Sequence, residues 1–143
     1  MIKENFTQKI TEVVKFHEVD MLGVCNNAVY LNYFEDARLK YLQTLSAKYN
    51  FTQFLVDDSF VIMARNEIDY LSPSFLDDEL TVYTKIEKVS NSSFSFEHFI
   101  VREIDSVEIA RGRGVLVHIN KETKKSMKLP DEFHQAVLDF ERG

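Results

Sequence analysis

The sequence contains one cysteine, four glycines, two prolines and no tryptophan among its 143 residues. Because Cys25 is alone, no disulfide can form within the chain, which excludes a secreted scaffold held together by disulfides. No apolar run approaches the roughly 18 residues that a membrane-spanning helix needs, and the opening MIKENFTQKI lacks the apolar stretch of a signal peptide. These absences predict a cytoplasmic protein without a membrane span.

An excess of basic residues is also missing. The chain has 17 Lys and Arg against 23 Asp and Glu, which gives a formal net charge of −6. Nucleic-acid binding requires a basic face that neutralises phosphates, so this class of function is excluded. No pair of His or Cys residues has the spacing of metal ligands, and neither a metal site nor a cofactor is predicted.

Apolar and aromatic residues are abundant enough to build a core. Hydrophobic residues make up 45% of the chain, and they include 12 Phe and six Tyr. A chain of this length buries roughly 68% of its unfolded surface when it folds. No linker-like segment or internal repeat divides the sequence, so residues 1–143 are predicted to form one domain.

Hydrophobic periodicity predicts an α+β fold. Apolar residues recur at helical spacing from residue 28 to about residue 46, which indicates one long, largely buried helix. Alternation with a period of two predicts strands at 7–16, 59–71, 79–89, 93–103 and 107–119. In 59–71 it turns Arg65, Glu67 and Asp69 outward and Ala64, Ile68 and Tyr70 inward, and in 93–103 it puts Phe94, Phe96, His98 and Ile100 on one face. Residues 51–56 suggest a short helical turn, and Pro130 opens a last helix over residues 131–140. Short turns between the last four strands imply an antiparallel sheet with one face covered by the long helix.

The segment between the first strand and the long helix carries the residues with chemistry. It places Asp20 shortly before a helix N-terminus, where backbone N–H groups have no partner within the helix. Such groups stabilise the oxyanion of a tetrahedral intermediate, while the carboxylate acts as nucleophile or general base. Gly23 permits the tight turn that brings the two together. The arrangement suits acyl transfer to water, although an Asp in such a loop is more often a turn former or helix cap.

This segment resembles the signature of the 4-hydroxybenzoyl-CoA thioesterase family and of related bacterial acyl-CoA thioesterases. The signature is an aromatic-acidic-x-Asp-x-x-Gly run, then Asn-x-x-Tyr, then an acidic residue and an Arg on the helix. The matching positions in this sequence are Phe16, Glu18, Asp20, Gly23, Asn27, Tyr30, Glu35 and Arg38. The similarity continues through residues 68–82 and 121–133, so it extends over nearly the whole chain.

The resemblance implies a hotdog fold, in which a curved antiparallel sheet of five or six strands wraps around one long central helix. It also implies a homodimer, often paired into a tetramer, with active sites at the subunit interface. Asp20 matches the family's catalytic carboxylate, and the backbone N–H of Asn27 matches the amide that polarises the thioester carbonyl. The expected reaction is hydrolysis of an acyl-CoA or acyl-carrier-protein thioester to the free acid and thiol.

At the acyl site the resemblance places Gly23, Val24, Tyr30 and Glu35. Val24 stands where the family commonly has His, which removes an imidazole and makes the pocket more apolar at that point. Glu35 has two interpretations. It is either a second active-site carboxylate, as in some hotdog thioesterases, or a structural acid paired with Arg38 on the same helix.

At the turn after the third strand, Lys88, Asn91 and Ser92 stand where the 4-hydroxybenzoyl enzyme has a basic cluster that binds the nucleotide of CoA. With only one Lys in this turn, a carrier-protein thioester stays open beside CoA. The most basic stretch of the chain contains Lys121, Lys124, Lys125 and Lys128. This stretch either contacts a CoA phosphate or a carrier protein, or forms a solvated turn.

Other reactive residues have plainer interpretations. His17 stands three residues before Asp20, close enough for a His–Asp dyad, but it is interpreted as a loop or strand-end residue without a catalytic role. Cys25 is interpreted as part of a pocket wall because no base lies near it in sequence. The Arg-Gly-Arg-Gly run at 111–114 is interpreted as a strand with exposed Arg and a close packing contact at Gly, not as a phosphate site. Two other functions stay open: a hotdog dehydratase, whose His-rich, Pro-Gly-containing loop is missing here, and a non-catalytic acyl-ligand-binding protein.

Overall fold

The computed structural model describes residues 5–49 and 59–142. Within them, five strands and two helices follow in the order β1 Gln8–Val13, α1 Val29–Tyr49, β2 Ser59–Tyr70, β3 Glu79–Val89, β4 Ser93–Arg102, β5 Glu108–Asn120 and α2 Asp131–Arg142. A short 3-10 turn, Phe16–Glu18, follows β1. No helix in these two described ranges is long and apolar enough to cross a membrane.

The five strands form one antiparallel sheet in the order β1-β3-β4-β5-β2. Strands β3, β4 and β5 are neighbours both in sequence and in space, because short turns join them. The long helix α1 separates β1 from β2, and these two strands occupy opposite edges. Strand β2 pairs with β5 on one side only, and a β-bulge between Met63 and Arg65 shifts its register.

Helix α1 packs against one face of the sheet through a stripe of buried residues that repeats every three or four positions: Val29, Tyr30, Tyr33, Phe34, Ala37, Tyr41 and Leu45. Its N-terminal half packs in a cluster with β3, β4 and β5 residues such as Leu80, Ile100 and Ile109. Its C-terminal half packs in a second cluster with Phe94, Phe96 and residues of α2. A five-stranded antiparallel sheet against one long helix confirms the predicted α+β class and the hotdog architecture.

The last helix is tied to the rest of the fold by one carboxylate. Glu141 Oε2 accepts hydrogen bonds from the Ile86 backbone N–H at 2.9 Å, from the Thr7 hydroxyl at 3.0 Å and from the Tyr41 hydroxyl. These donors come from β3, from the residue before β1 and from α1. One side chain of α2 therefore holds three other elements together.

The predicted elements agree with the structure except at their ends. The first strand ends at Val13 rather than at residue 16, because residues 16–18 form the 3-10 turn. Helix α1 extends three residues past the predicted end, to Tyr49. Ala64, predicted to face inward, is exposed because it lies at the β-bulge of β2. The helical turn predicted at residues 51–56 lies outside the described residues.

Candidate active site

Asp20 opens a tight hairpin between the 3-10 turn and α1. Val19 and Cys25 form a bridge across it, and the Asp20 N–H donates to the Val24 carbonyl at 2.9 Å. At the tip, Gly23 adopts a φ of 78°, in the left-handed region that glycine reaches without strain. The Gly23 N–H donates back to the Asp20 carbonyl at 3.0 Å. The turn expected from Gly23 is therefore present.

The two oxygens of the Asp20 carboxylate differ in their contacts. Oδ1 accepts hydrogen bonds from the N–H groups of Leu22 at 2.8 Å and Val24 at 3.1 Å, as in an Asx-turn. Oδ2 accepts no hydrogen bond from any residue in the described ranges, and the side chain is exposed. One oxygen thus forms the turn, and the other is free for chemistry.

The hairpin is fixed to the body of the protein through the loop after β2. The Cys25 N–H donates to the Ser74 carbonyl at 2.8 Å, and the Leu76 N–H donates to the Gly23 carbonyl at 3.1 Å. A further bridge joins Val24 and Phe75. These backbone contacts hold the carboxylate of Asp20 on a frame anchored to the sheet.

The start of α1 lies beside this hairpin. The Val29 N–H donates to the Asn26 carbonyl at 3.0 Å, which makes residues 26–29 a turn leading into the helix. The N–H of Asn27, two residues before the helix begins, donates to no acceptor among residues 5–49 and 59–142. It is therefore available to an external acceptor, as predicted for the start of a helix.

A surface cleft of about 260 Å³ lies between the hairpin and the end of β2. Its lining consists of Val24, Cys25, Asn27, Tyr30, Tyr70, Leu71, Ser72 and Pro73. Three of the predicted site residues, Val24, Asn27 and Tyr30, thus share one cleft. Asp20 does not line it, but lies directly across the hairpin from Val24.

The floor of the cleft is a buried polar cluster. The hydroxyls of Tyr30 and Ser74 lie 2.6 Å apart, and burial raises the pKa of Tyr30 to about 12. Burial likewise raises the pKa of the Cys25 thiol, which opposes formation of a nucleophilic thiolate. The Tyr33 hydroxyl donates to Glu18 Oε1 at 2.7 Å, and burial together with this carboxylate raises its pKa. The phenols of Tyr30 and Tyr33 and the thiol of Cys25 therefore stay neutral near pH 7.

Glu35 lies on an exposed part of α1 and not in the cleft. It forms no ion pair within 4 Å in the described ranges, so the close pairing with Arg38 is not present. Burial lowers the pKa of the Arg38 guanidinium, and the charge of Glu35 partly opposes that shift. His17 lies exposed in the 3-10 turn, and the two hydrogen bonds to Asp20 Oδ1 come from backbone N–H groups instead.

Lys88, Asn91 and Ser92 lie at the opposite end of the sheet. Strand β3 begins at Glu79, beside the loop that holds the hairpin, and reaches Lys88 after about 30 Å of extended chain. The carbonyls of Asn91 and Ser92 accept the N–H groups of Leu129 and His118. Within one chain, the structure does not bring these three residues to the Asp20 hairpin.

The Arg-Gly run of β5 is part of the sheet. Arg111 forms an ion pair with Glu108 at 2.8 Å, and Arg113 forms one with Glu87 of β3. An added Cβ on Gly112 would lie 2.3 Å from a ring carbon of Phe34, so this glycine marks the predicted close contact. No three His, Cys, Asp or Glu side chains converge as metal ligands in the described part of the chain.

Sequence reasoning missed Tyr70, Ser74 and Arg102. Tyr70 was interpreted as an inward strand residue, yet its hydroxyl donates to the Asn27 carbonyl at 3.3 Å. The Arg102 guanidinium binds the Pro73 carbonyl at 3.1 Å and Asp78 Oδ2 at 3.2 Å, which holds the loop beneath the hairpin. Two sequence signals fall on this loop, its Ser-Pro-Ser and Asp-Asp turn residues and the family resemblance over residues 68–82.

Comparison with known proteins identifies the family. The model of the thioesterase-like superfamily matches residues 14–137. The acyl-CoA thioesterase YbgC of Haemophilus influenzae is 32% identical over 126 residues, which cover 86% of this chain and 88% of that protein. A chloroplastic acyl-acyl carrier protein thioesterase of Arabidopsis thaliana, ATL3, is 25% identical over 90% of this chain and 66% of its own length.

Among solved structures, a thioesterase of Thermus thermophilus complexed with coenzyme A and zinc is 31% identical. It superposes with a TM-score of 0.79 over 98% of both chains. A 1,4-dihydroxy-2-naphthoyl-CoA thioesterase of Synechocystis, 20% identical, shares the fold with a TM-score of 0.78 over 92% of this chain and 95% of its own. The chain therefore belongs to the thioesterase-like superfamily, and it is a thioester hydrolase with the hotdog fold.

Proposed function

We propose that this protein hydrolyses an acyl-CoA thioester to the free acid and the CoA thiol, with Asp20 as the catalytic carboxylate. The observation that carries the proposal is the free Oδ2 of Asp20, held on a rigid hairpin next to a cleft that also includes Asn27. A carboxylate and an unpaired N–H are the two groups that thioester hydrolysis requires.

In this proposal the Asn27 N–H donates to the thioester carbonyl oxygen and stabilises the negative charge that develops on it. Oδ2 of Asp20 either attacks the carbonyl carbon or removes a proton from the attacking water. Attack would give a mixed anhydride that water then hydrolyses, whereas general-base catalysis gives the acid in one addition and elimination. In both routes the C–S bond breaks and the thiolate of CoA leaves.

The apolar residues that line the cleft favour an acyl group over a charged substrate. Val24, Tyr30, Tyr70 and Leu71 present apolar surface, and Val24 supplies no imidazole. We propose CoA as the carrier because the similar Thermus protein, 31% identical, is complexed with coenzyme A. An acyl carrier protein, the substrate named for the Arabidopsis relative, is the alternative carrier. No further cofactor enters the proposed reaction.

The proposed active unit is a homodimer of single-domain subunits. Among residues 5–49 and 59–142, no strand pairs with the outer side of β2. Exposed apolar side chains lie on β2 and just after it, at Ile62, Tyr70 and Leu71. Pairing of two β2 edges would cover these side chains and place a second subunit next to the cleft. Lys88, Asn91 and Ser92 would contribute to CoA binding only from that partner, and assembly to a tetramer stays a prediction. We place the reaction in the cytoplasm, where Cys25 stays a free thiol.

The proposal is tested by steady-state hydrolysis of short, long and aromatic acyl-CoA thioesters, with detection of the free thiol. Asp20→Asn keeps an oxygen that accepts the Leu22 and Val24 N–H groups, so the hairpin stays intact while the charge is lost. We expect kcat to fall by about 100-fold or more. The matched control is Asp139→Asn, an exposed change on α2 that leaves kcat unchanged.

Two outcomes would contradict the proposal. If Asp20→Asn retains the activity of the wild type, Asp20 is not the catalytic carboxylate, and Glu35→Gln becomes the next variant to assay. If the wild type hydrolyses neither CoA-linked nor carrier-linked thioesters yet binds acyl-CoA, the protein is a non-catalytic binder of acyl ligands.

A further inference from the structure

Asn27, whose N–H would polarise the substrate, lies between two peptide groups that are restrained in different ways. On the N-terminal side, the Asn26 N–H donates to the Glu18 carbonyl at 2.9 Å and the Asn26 carbonyl accepts from the Val29 N–H at 3.0 Å. On the C-terminal side, the hydrogen bond that reaches the Asn27 carbonyl comes from a side chain, the phenol of Tyr70 at 3.3 Å. The orientation of residue 27 thus depends on backbone contacts on one side and on Tyr70 on the other.

Tyr70 is well placed to hold the Asn27 carbonyl because it is anchored to the sheet. It is the last residue of β2 and pairs with Ala110 of β5. The next two residues continue this anchorage, since the N–H groups of Leu71 and Ser72 both donate to the Ile109 carbonyl, at 2.9 and 3.2 Å. The phenol therefore projects from a rigid strand end to the start of α1.

The ring of Tyr70 also forms part of the cleft wall. It is 46% exposed, and its centroid lies 6.0 Å from that of Tyr30 with the planes tilted by 44°. The Tyr30 hydroxyl is already paired with Ser74, whereas the Tyr70 hydroxyl faces Asn27. The two phenols therefore make different contacts: the Tyr30 hydroxyl pairs with Ser74 below the cleft, and the Tyr70 hydroxyl donates to the Asn27 carbonyl.

We propose that Tyr70 is a positioning residue. Its hydroxyl holds the Asn27–Ala28 peptide by the Asn27 carbonyl and thereby fixes the backbone of Asn27, so that the Asn27 N–H, which lies in the preceding peptide, is preorganised for the oxyanion. This inference rests on the proposed thioesterase function. An oxyanion donor contributes most when it needs no reorganisation during the reaction. Loss of the phenol hydroxyl should therefore weaken stabilisation of the transition state more than binding of the substrate.

The test compares wild type, Tyr70→Phe and Tyr83→Phe on the acyl-CoA that the wild type hydrolyses fastest. Tyr70→Phe keeps the ring in the cleft wall and removes only the hydroxyl. We expect kcat to fall about three- to tenfold, the range for one neutral hydrogen bond, while KM stays within about twofold. Tyr83, which packs against Phe6 and Phe99 and does not line the cleft, is the matched control and keeps the wild-type kcat.

A second measurement reports on the contact without using turnover. The amide nitrogen of Ala28 belongs to the peptide whose carbonyl accepts the phenol, so its ¹⁵N chemical shift should change in Tyr70→Phe and not in Tyr83→Phe. An active wild type with unchanged kcat in Tyr70→Phe overturns this inference alone, as does an unchanged Ala28 shift. A wild type inactive on every thioester overturns the proposed function and this inference with it, and that failure is visible without any variant.

Discussion

Replacing Gly112 by Ala adds one methyl group to a crowded contact between α1 and the sheet. The new Cβ would lie 2.3 and 2.8 Å from two ring carbons of Phe34 and 3.0 Å from the Glu67 carbonyl oxygen. Phe34 is 1% exposed, and its ring stacks on His98 at a centroid distance of 4.5 Å. Because the ring is enclosed, it cannot move away without displacing other core residues.

Overpacking of this kind typically costs about 1–3 kcal/mol of the free energy of unfolding. A cost of about 2 kcal/mol corresponds to a fall in Tm of roughly 4–8 °C for a protein of this size. The backbone of Gly112 is not in the left-handed region that would disfavour Ala. The expected loss of stability therefore comes from the contact with Phe34 in the folded state. We therefore expect Gly112→Ala to lower Tm by about this amount in a thermal melt at fixed protein concentration.

Gly114→Ala is the matched control on the same strand and face. Its Cβ would meet Asn66, Met63 and Arg38 side-chain atoms at 3.4 to 3.5 Å, which is ordinary contact with the ends of flexible side chains. Replacing Gly by Ala also reduces the entropy of the unfolded chain. We expect Tm to stay within about 2 °C of the wild type or to rise slightly.

Equal Tm values for Gly112→Ala and Gly114→Ala would refute this reasoning, because the ring of Phe34 would then yield to a methyl group at no cost. A double-mutant cycle with Phe34→Leu gives a second check. If the clash is with the ring, Gly112→Ala should cost less in the Phe34→Leu background than in the wild type, with a coupling of about 1 kcal/mol.

Two further changes test contacts elsewhere in the fold. Glu141→Ala removes the acceptor shared by the Tyr41 hydroxyl and the Ile86 N–H, so we expect a loss of about 2–4 kcal/mol in urea unfolding, whereas Asp139→Ala on the same helix stays within about 0.5 kcal/mol. Burial and the nearby Arg38 hold the pKa of His98 well below its usual value, so the folded protein leaves it neutral while the unfolded chain takes up a proton below about pH 6.5. The free energy of unfolding that depends on a neutral His98 is therefore complete above that pH. Below it, this free energy falls by up to about 1.4 kcal/mol per pH unit. Urea melts from pH 7.5 to 5 should show this slope reduced in His98→Phe, and parallel slopes in both proteins would contradict it.

Strands and helices whose patterns depend on neighbours in sequence were predictable. The bounds of β3 are those predicted, because its alternation is regular and turn residues stand at both ends. The face of β4 predicted from alternation, with Phe94, Phe96, His98 and Ile100, is buried. The errors occur where a regular pattern is interrupted, as at the β-bulge of β2, where Ala64 is exposed.

The candidate site was predictable in its chemistry but only partly in its geometry. Asp20, Gly23 and Asn27 stood out because an acid, a turn residue and a helix start follow one another within one short segment. Tyr70 and Ser74 did not, because their contacts join residues more than 40 positions apart in the chain, a separation that periodicity does not report.

The sequence by itself therefore determined the α+β class, the long helix, the tight turn at Gly23 and the family, since each depends on local spacing or on a recognisable motif. Tertiary structure alone decided that a phenol from the end of β2 reaches the start of α1. It also placed Lys88 far from Asp20 in the same chain. The physical reason is that hydrogen bonds and close packing depend on how strands align and on how the helix lies across them, and these relations arise only when distant segments fold together.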